Sequence, residues 1–224
     1  MKTGGRTATF ALGDIVAAGV RIGLAELTVQ KVADALGVTT AAVYRHVPSR
    51  SALENLVGEA ILAELTLADD PAHSTAEHLV SFGAQLRRFV LAHPGSADYF
   101  QRLFPRGASG VRLLETQVAA LGRRGYDPAA ATVLSSAIAT ISLGLVVAEE
   151  SRTAHGRDEP GGAGEALAAM TGSPVLREAL AGIPDHTADD YFVLLLTAAA
   201  DGLAAHLPPG RPVGSLTLRH PFTT

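Results

Sequence analysis

The chain of 224 residues contains no cysteine. Disulfides, thiolate metal sites and thiol redox chemistry are therefore excluded, and a reducing compartment fits. Strand-like alternation of apolar and polar residues is scarce, which argues against a sheet. The opening MKTGGRTATF lacks an apolar core ahead of a cleavage site, so no signal peptide is expected. Enzyme motifs are missing too: there is no nucleophile elbow, P-loop, HExxH or dinucleotide fingerprint. Eight histidines are scattered without metal-ligand spacing, so neither a metal nor a cofactor is expected. His93, His155 and His206 fall near helix ends, where the dipole favours them. Lysine is scarce, two against sixteen arginines, which with abundant alanine fits a GC-rich genome.

What remains is a 47% hydrophobic chain, ordinary for a folded soluble protein and long enough for one domain or two small ones. The net charge of −4 is unevenly spread. Residues 1–50 hold six basic and three acidic groups, and the rest holds twelve basic and nineteen acidic. A basic end on an acidic body points to an anionic partner for that end, although charge alone leaves chance asymmetry open.

Nearly everything reads as helix. The first runs over Thr9–Gly19. Thr28 can cap a helix that Gly37 ends, and Thr39 a short one to His46. Ser51 and Glu54 read as a capping box for a helix through about Leu65, and Ser74 and Glu77 as another. His93-Pro94-Gly95 ends that next helix, and shorter ones follow over Ser96–Phe104 and about Ser109–Arg124. Asp127-Pro128 opens a long helix to about Arg152, and residues 155–164, HGRDEPGGAG, read as a mobile loop. Helices from Ser173-Pro174 and from Thr187 to His206 complete the chain. The expected division is 1–55, 56–208 and a loosely held tail 209–224, with the first border soft and placed within or just after the Ser51–Leu65 helix.

Leu36 to Arg50, LGVTTAAVYRHVPSR, fits the second half of a helix-turn-helix. Ala33 and Gly37 stand four apart, giving the small residue and the turn such a crossing needs, and Val32, Leu36, Val38 and Val43 can pack the two helices. Thr40, Ala41, Tyr44 and Arg45 then face outward, as donors, a methyl and a flat ring suited to base edges and phosphates. The amino end of the preceding helix, at Thr28, can hold a phosphate with Gln30 and Lys31. Thr39, His46 and Arg50 complete the candidate DNA-contacting set. Spacing alone leaves an ordinary helical hairpin about equally open.

The segment LTVQKVADALGVTTAAVYRHVPSRSAL, Leu27–Leu53, resembles the DNA-binding segment of TetR-family transcriptional regulators. It has the Leu27-Thr28 opening, the Ala33–Val38 turn, Tyr44 near the end of the reading helix, and the Arg50–Leu53 start of the next. Glu115–Ser151, SPVLREAL and Tyr191–Leu207 are similar, more weakly, to the tetracycline repressors themselves. The resemblance implies an all-α protein: an N-terminal three-helix helix-turn-helix domain and a larger helical ligand-binding and dimerisation domain. It also implies a homodimer on double-stranded operator DNA, with a small-molecule effector in each body.

Ala129–Ala148 carries no charge over twenty residues, which raises a membrane span as a rival. Five hydroxyl side chains and the lack of a second span favour a buried helix, so no membrane partner is expected. Both this helix and the last are rich in small residues. With the resemblance, that places Ala139, Leu143, Val146, Leu195, Ala199 and Leu203 at a four-helix dimer interface. Candidate effector walls are Phe82, Leu86, Phe89, Phe100, Phe104 and Leu113, with His78, Gln85, Gln117, Ser136 and Thr140 as polar groups. Gln117 stands where the tetracycline repressors use a ligand-contacting glutamine. Phe100 stands where they have a magnesium-binding histidine, and a phenyl ring cannot coordinate a metal. The expected function is a cytoplasmic, effector-released regulator, a repressor by the family's usual mode. The alternatives are a small-molecule-binding helical dimer without DNA binding, and an all-α enzyme.

Overall fold

The computed structural model describes residues 10–102, 107–158 and 162–215. Phe104, expected in the effector site, and the last nine residues of the tail lie outside them. Among the described residues there are eleven helices and no strand, so the all-α expectation holds. The chain divides into two compact units. One is built from residues up to Ala68 with Arg88–Thr116, the other from Asp69–Arg87 with residues from Gln117 onward.

The first unit begins with α1 (Leu12–Ile22), α2 (Val29–Leu36), α3 (Thr40–Tyr44) and α4 (Arg50–Ala63). Their local starts are side-chain caps. Thr28 Oγ1 accepts the Lys31 N–H at 3.1 Å, and Thr39 Oγ1 accepts that of Ala42 at 3.2 Å. Gly37 ends α2 at φ +66°, a left-handed conformation that costs glycine nothing. The expected opening of α4 on Ser51 is corrected. Ser49 is extended and its hydroxyl accepts the Ala52 N–H at 3.1 Å, so the helix starts at Arg50. Glu54 consequently pairs with Arg50 Nε at 2.9 Å instead of closing a capping box. The 55/56 border also falls inside α4. Ile15 and Ala18 of α1, Val32 and Ala33 of α2, Val43 of α3, and Leu53 and Val57 of α4 are buried to form the core.

The same unit holds α6 (Ser96–Arg102) and the first part of α7 (Ala108–Gly122). Helices α4 and α7 cap each other. Glu59 of α4 accepts the Ser109 N–H in the first turn of α7 at 2.6 Å. Arg112 of α7 donates to the carbonyls of Leu62, Ala63 and Leu65 at the end of α4, at 3.2–3.5 Å. Each charge thus meets the helix end whose dipole favours it. Tyr99 of α6 donates its hydroxyl to Asn55 at 3.1 Å, with its ring against Gly58.

The second unit contains most of α5 (Thr75–Ala92), then α8 (Pro128–Asp158), α9 (Gly162–Gly172), α10 (Pro174–Ala181) and α11 (Ala188–His206). Ser74 and Glu77 form the expected capping box. Asp127 caps α8 through the Ala130 N–H at 2.9 Å. The expected end near Arg152 and loop over 155–164 are corrected: α8 runs to Asp158 and α9 resumes at Gly162. One interior glycine costs a helix only about 1 kcal/mol, so Gly156 does not stop it. Residues Pro128–Thr153 are long and apolar enough to cross a membrane by length and composition. Here α8 packs on α11, burying Leu134, Ile138 and Val146 with Phe192, Leu196 and Ala200. Arg87 of α5 joins both helices. It lies buried, 2.8 Å from Glu149 and from Asp189, with its guanidinium 4.8 Å from the centre of the Phe192 ring.

A methyl group at Gly58 would stand 2.2 Å from the Tyr99 ring. Glycine-to-alanine normally stabilises a helix interior by about 1 kcal/mol. Gly58→Ala is expected to do the reverse and destabilise by about 2 kcal/mol through overpacking, read as a lower urea midpoint.

Candidate nucleic-acid interface and a buried polar cluster

Most of the candidate DNA-contacting residues of the first unit are exposed, with Thr28 and Thr40 half-exposed. Ala42 and Val43 turn inward from α3, which leaves Ala41, Tyr44 and Arg45 exposed and Thr40 half-exposed. Tyr44 is 48% exposed, a large ring held out of the core. Among the described residues no hydrogen bond or ion pair is recorded for the Tyr44 hydroxyl or the Arg45 guanidinium. Three other candidates are engaged locally. Lys31 pairs with Glu26, Gln30 donates to Asp34 at 2.7 Å, and Arg50 pairs with Glu54. Such exposed pairs are worth at most about 1 kcal/mol and exchange easily for a phosphate. Thr28 and Thr39 spend their lone pairs on caps but keep a hydroxyl proton to donate. His46 is exposed with its ring 4.9 Å from that of Phe10.

The second unit brings His78 and Gln117 together from α5 and α7. His78 is 1% exposed, and its Nε2 lies 3.0 Å from Gln117 Oε1. On the other side of the ring, Nδ1 is 2.9 Å from Asp69 Oδ1. Asp69 is itself held by Arg124 at 2.8 Å and Arg123 at 2.5 Å. Arg124 also donates to the carbonyls of Asp70, His73 and Ala120. Burial pushes the Asp69 carboxyl up, but hydrogen bonds from the two arginines outweigh it and hold the pKa at about 2. Burial, with Arg124 nearby, pushes His78 below its ordinary value.

The other effector candidates are dispersed. In the second unit Phe82 and Leu86 are buried, Ser136 is half-buried, and Gln85 donates to Ser81 at 3.2 Å. In the first unit Phe100 is buried edge-on to Tyr99, Phe89 lies 4.4 Å from the His93 ring, and Leu113 is half-buried. Thr140 is exposed on α8, so within the single chain it lines no enclosed site.

A family model described as tetracyclin repressor-like, C-terminal domain, matches residues 67–207. The chain belongs to the TetR family of transcriptional regulators. A tetracycline repressor of class A from Escherichia coli is 28% identical over 188 residues, 82% of this chain and 83% of that protein. An HTH-type transcriptional regulator from Saccharopolyspora erythraea is 28% identical over 129 residues, 58% of this chain. The match spans 55% of that regulator's length. Among solved structures, the Streptomyces coelicolor TetR family protein ActR in complex with actinorhodin shares 25% identity. It aligns at a TM-score of 0.72 over 91% of this chain and all of that one.

In this TetR-family chain the expected interface residues divide. Val146 is fully buried within its own unit and Leu143 nearly so, which leaves neither with surface to give a partner. Ala139, Leu195, Ala199 and Leu203 are half-buried. The outward face of α8 instead carries Val133, seven residues from Thr140 and on the same side of the helix, and α11 carries Val193 and Leu194 outward. Leu194 is 64% exposed. A helix apolar all round hides this register, so the pattern of α8 could not tell its core face from its outer one. The ion cluster around His78 was missed for a different reason: Asp69 and Arg124 stand 55 positions apart in the chain. The sole sequence signal was Asp69-Asp70 set against Arg123-Arg124.

Both depressed pKa values make the folded state acid-labile. Below about pH 6.5 the unfolded chain protonates the histidine while the native ring resists. Between about 3.8 and 2 the unfolded chain protonates the aspartate while the native carboxylate does not. Urea midpoints are expected to fall through both windows. Asp69→Asn is expected to cost about 3 kcal/mol at pH 7, by stranding Arg124, and to remove the second window.

Proposed function

We propose that this chain is an operator-binding repressor, dimeric and cytoplasmic, released by a small-molecule effector. The observation that carries the DNA-binding part is the exposed Tyr44–Arg45 pair at the end of α3, without a partner among the described residues, behind the left-handed turn at Gly37. Free donors on a short helix in a basic segment match base edges and phosphates. The outward apolar residues of α8 and α11, Val133, Val193 and Leu194, supply a face for a second copy. Two reading helices related by a two-fold axis would contact half-sites one DNA turn apart, roughly 34–36 Å. The related proteins are regulators rather than enzymes, and we infer the same for this chain.

The effector reading rests on the second unit, where buried polar groups sit among apolar helices. ActR was solved with actinorhodin and the Escherichia coli relative is a tetracycline repressor, so polycyclic compounds are the first to screen. With Phe100 at the position of the metal-binding histidine, tight magnesium-dependent tetracycline binding is not expected, which calorimetry checks. An effector releases DNA only if it binds the DNA-incompetent form better, by a few kcal/mol.

Footprinting of the DNA flanking the gene, at several salt concentrations, tests the central claim. A protected palindrome that weakens steeply with salt supports it. Arg45→Ala and Tyr44→Ala are each expected to lose about 10- to 100-fold in operator affinity while remaining dimeric. Leu194→Arg is expected to give a monomer by sedimentation. Wild-type operator affinity in Arg45→Ala would show that α3 is not the reader.

A further inference from the structure

Phe10 stands just ahead of α1, yet its ring is half-buried and lies 4.9 Å from that of His46, one residue past Arg45 at the end of α3. The next residue is held as well. The Asp14 carboxylate accepts the Ala11 N–H at 2.8 Å, which caps the first turn of α1. The chain therefore enters α1 from a fixed point beside the end of α3. Nine residues precede Phe10, MKTGGRTAT. They hold two of the six basic groups of residues 1–50, Lys2 and Arg6, and no acidic one. Three threonines, two glycines and one alanine give them no apolar stripe with which to join a core. The nearest acidic residue in sequence, Asp14, is committed to its cap, whereas Lys31 and Arg50 of the helix-turn-helix are paired with Glu26 and Glu54. Arg6 is four residues from Phe10 and Lys2 is eight, spans of at most about 14 Å and about 28 Å. The DNA major groove is about 12 Å wide. From an anchor at the end of α3, Arg6 reaches the phosphates on the edge of that groove and Lys2 those beyond it.

We propose that residues 1–9 form a second DNA-binding element, an arm that Phe10, set against His46, delivers to the phosphates flanking the groove read by α3. Lys2 and Arg6 are the contacts and Phe10 is a positioning residue. The partner is the phosphate backbone of double-stranded DNA, so the arm adds affinity and salt dependence without reading sequence. The proposal rests on the reading of α3 as the helix that meets DNA. A dimer carries the arm twice and places four added cations on the duplex.

The test is the salt dependence of binding by the full-length protein, measured by fluorescence anisotropy on the DNA fragment protected in the footprint and on a duplex of random sequence. Each phosphate contact contributes about 0.9 to the slope of log affinity against log salt. Arg6→Ala is expected to reduce the slope by about 2 per dimer, and Lys2→Ala with Arg6→Ala by about 3 to 4, with affinity at about 0.1 M salt down at least about tenfold. The loss is expected on both duplexes alike, because both present the same phosphates. Phe10→Ala is expected to cost at least about threefold more in the intact arm than in the doubly substituted one, a coupling that a general folding defect would not produce. An unchanged slope in the double variant overturns the arm and leaves α3 as the reader. Equal cost of Phe10→Ala in both backgrounds overturns delivery by Phe10, and a loss confined to the protected fragment overturns the phosphate assignment. Wild-type protein that binds neither duplex fails the DNA-binding reading itself, and the arm with it.

Discussion

The mutual capping of α4 and α7 is the constraint on which the arrangement of the first unit depends. A helical protein without sheets or disulfides must satisfy every helix end, because each leaves four backbone groups unpaired. Here Glu59 serves the start of α7 while Arg112 serves the end of α4. The two contacts lie on the same pair of helices, so rotation of one against the other would break both. Tyr99 of α6 packs against Gly58 of α4 beside them. Because α4 also carries Leu53 and Val57 into the helix-turn-helix core, the orientation of that core is tied to α7 through side chains of opposite charge.

The second unit uses charge differently. Its helices are apolar enough that two of them give little positional signal, and specificity comes from a few buried polar groups. Arg87 ties α5 to α8 and α11 through two carboxylates and an aromatic face. Asp69 gathers His78, Arg123 and Arg124. Each is costly to desolvate and strongly destabilising to break, so such groups serve register and orientation more than net stability. Both clusters lie within the second unit, where Asp69 and Arg87 are the ends of one chain segment and Gln117 begins the other.

The helix-turn-helix was legible from sequence because its determinants are local. Thr28, Gly37 and Thr39 act through their own backbone or that of residues three or four away, and the structure bears them out as cap, turn and cap. The inward Ala42 and Val43 follow from helical period alone. The start of α4 was misread by two residues because serines at 49 and 51 compete, and only the extended backbone of Ser49 decides between them.

What the sequence by itself determined is the helix inventory apart from α9, the capped helix-turn-helix and the family, all of which depend on spacings of a few residues. Which face of α8 is buried, that Leu194 projects while Val146 does not, and that Asp69 meets His78 and Arg124 were decided only by tertiary structure. A uniformly apolar helix carries no periodic signal for its inner face. An ion cluster assembled from positions 69, 78, 117 and 124 exists only once α5 and α7 have packed.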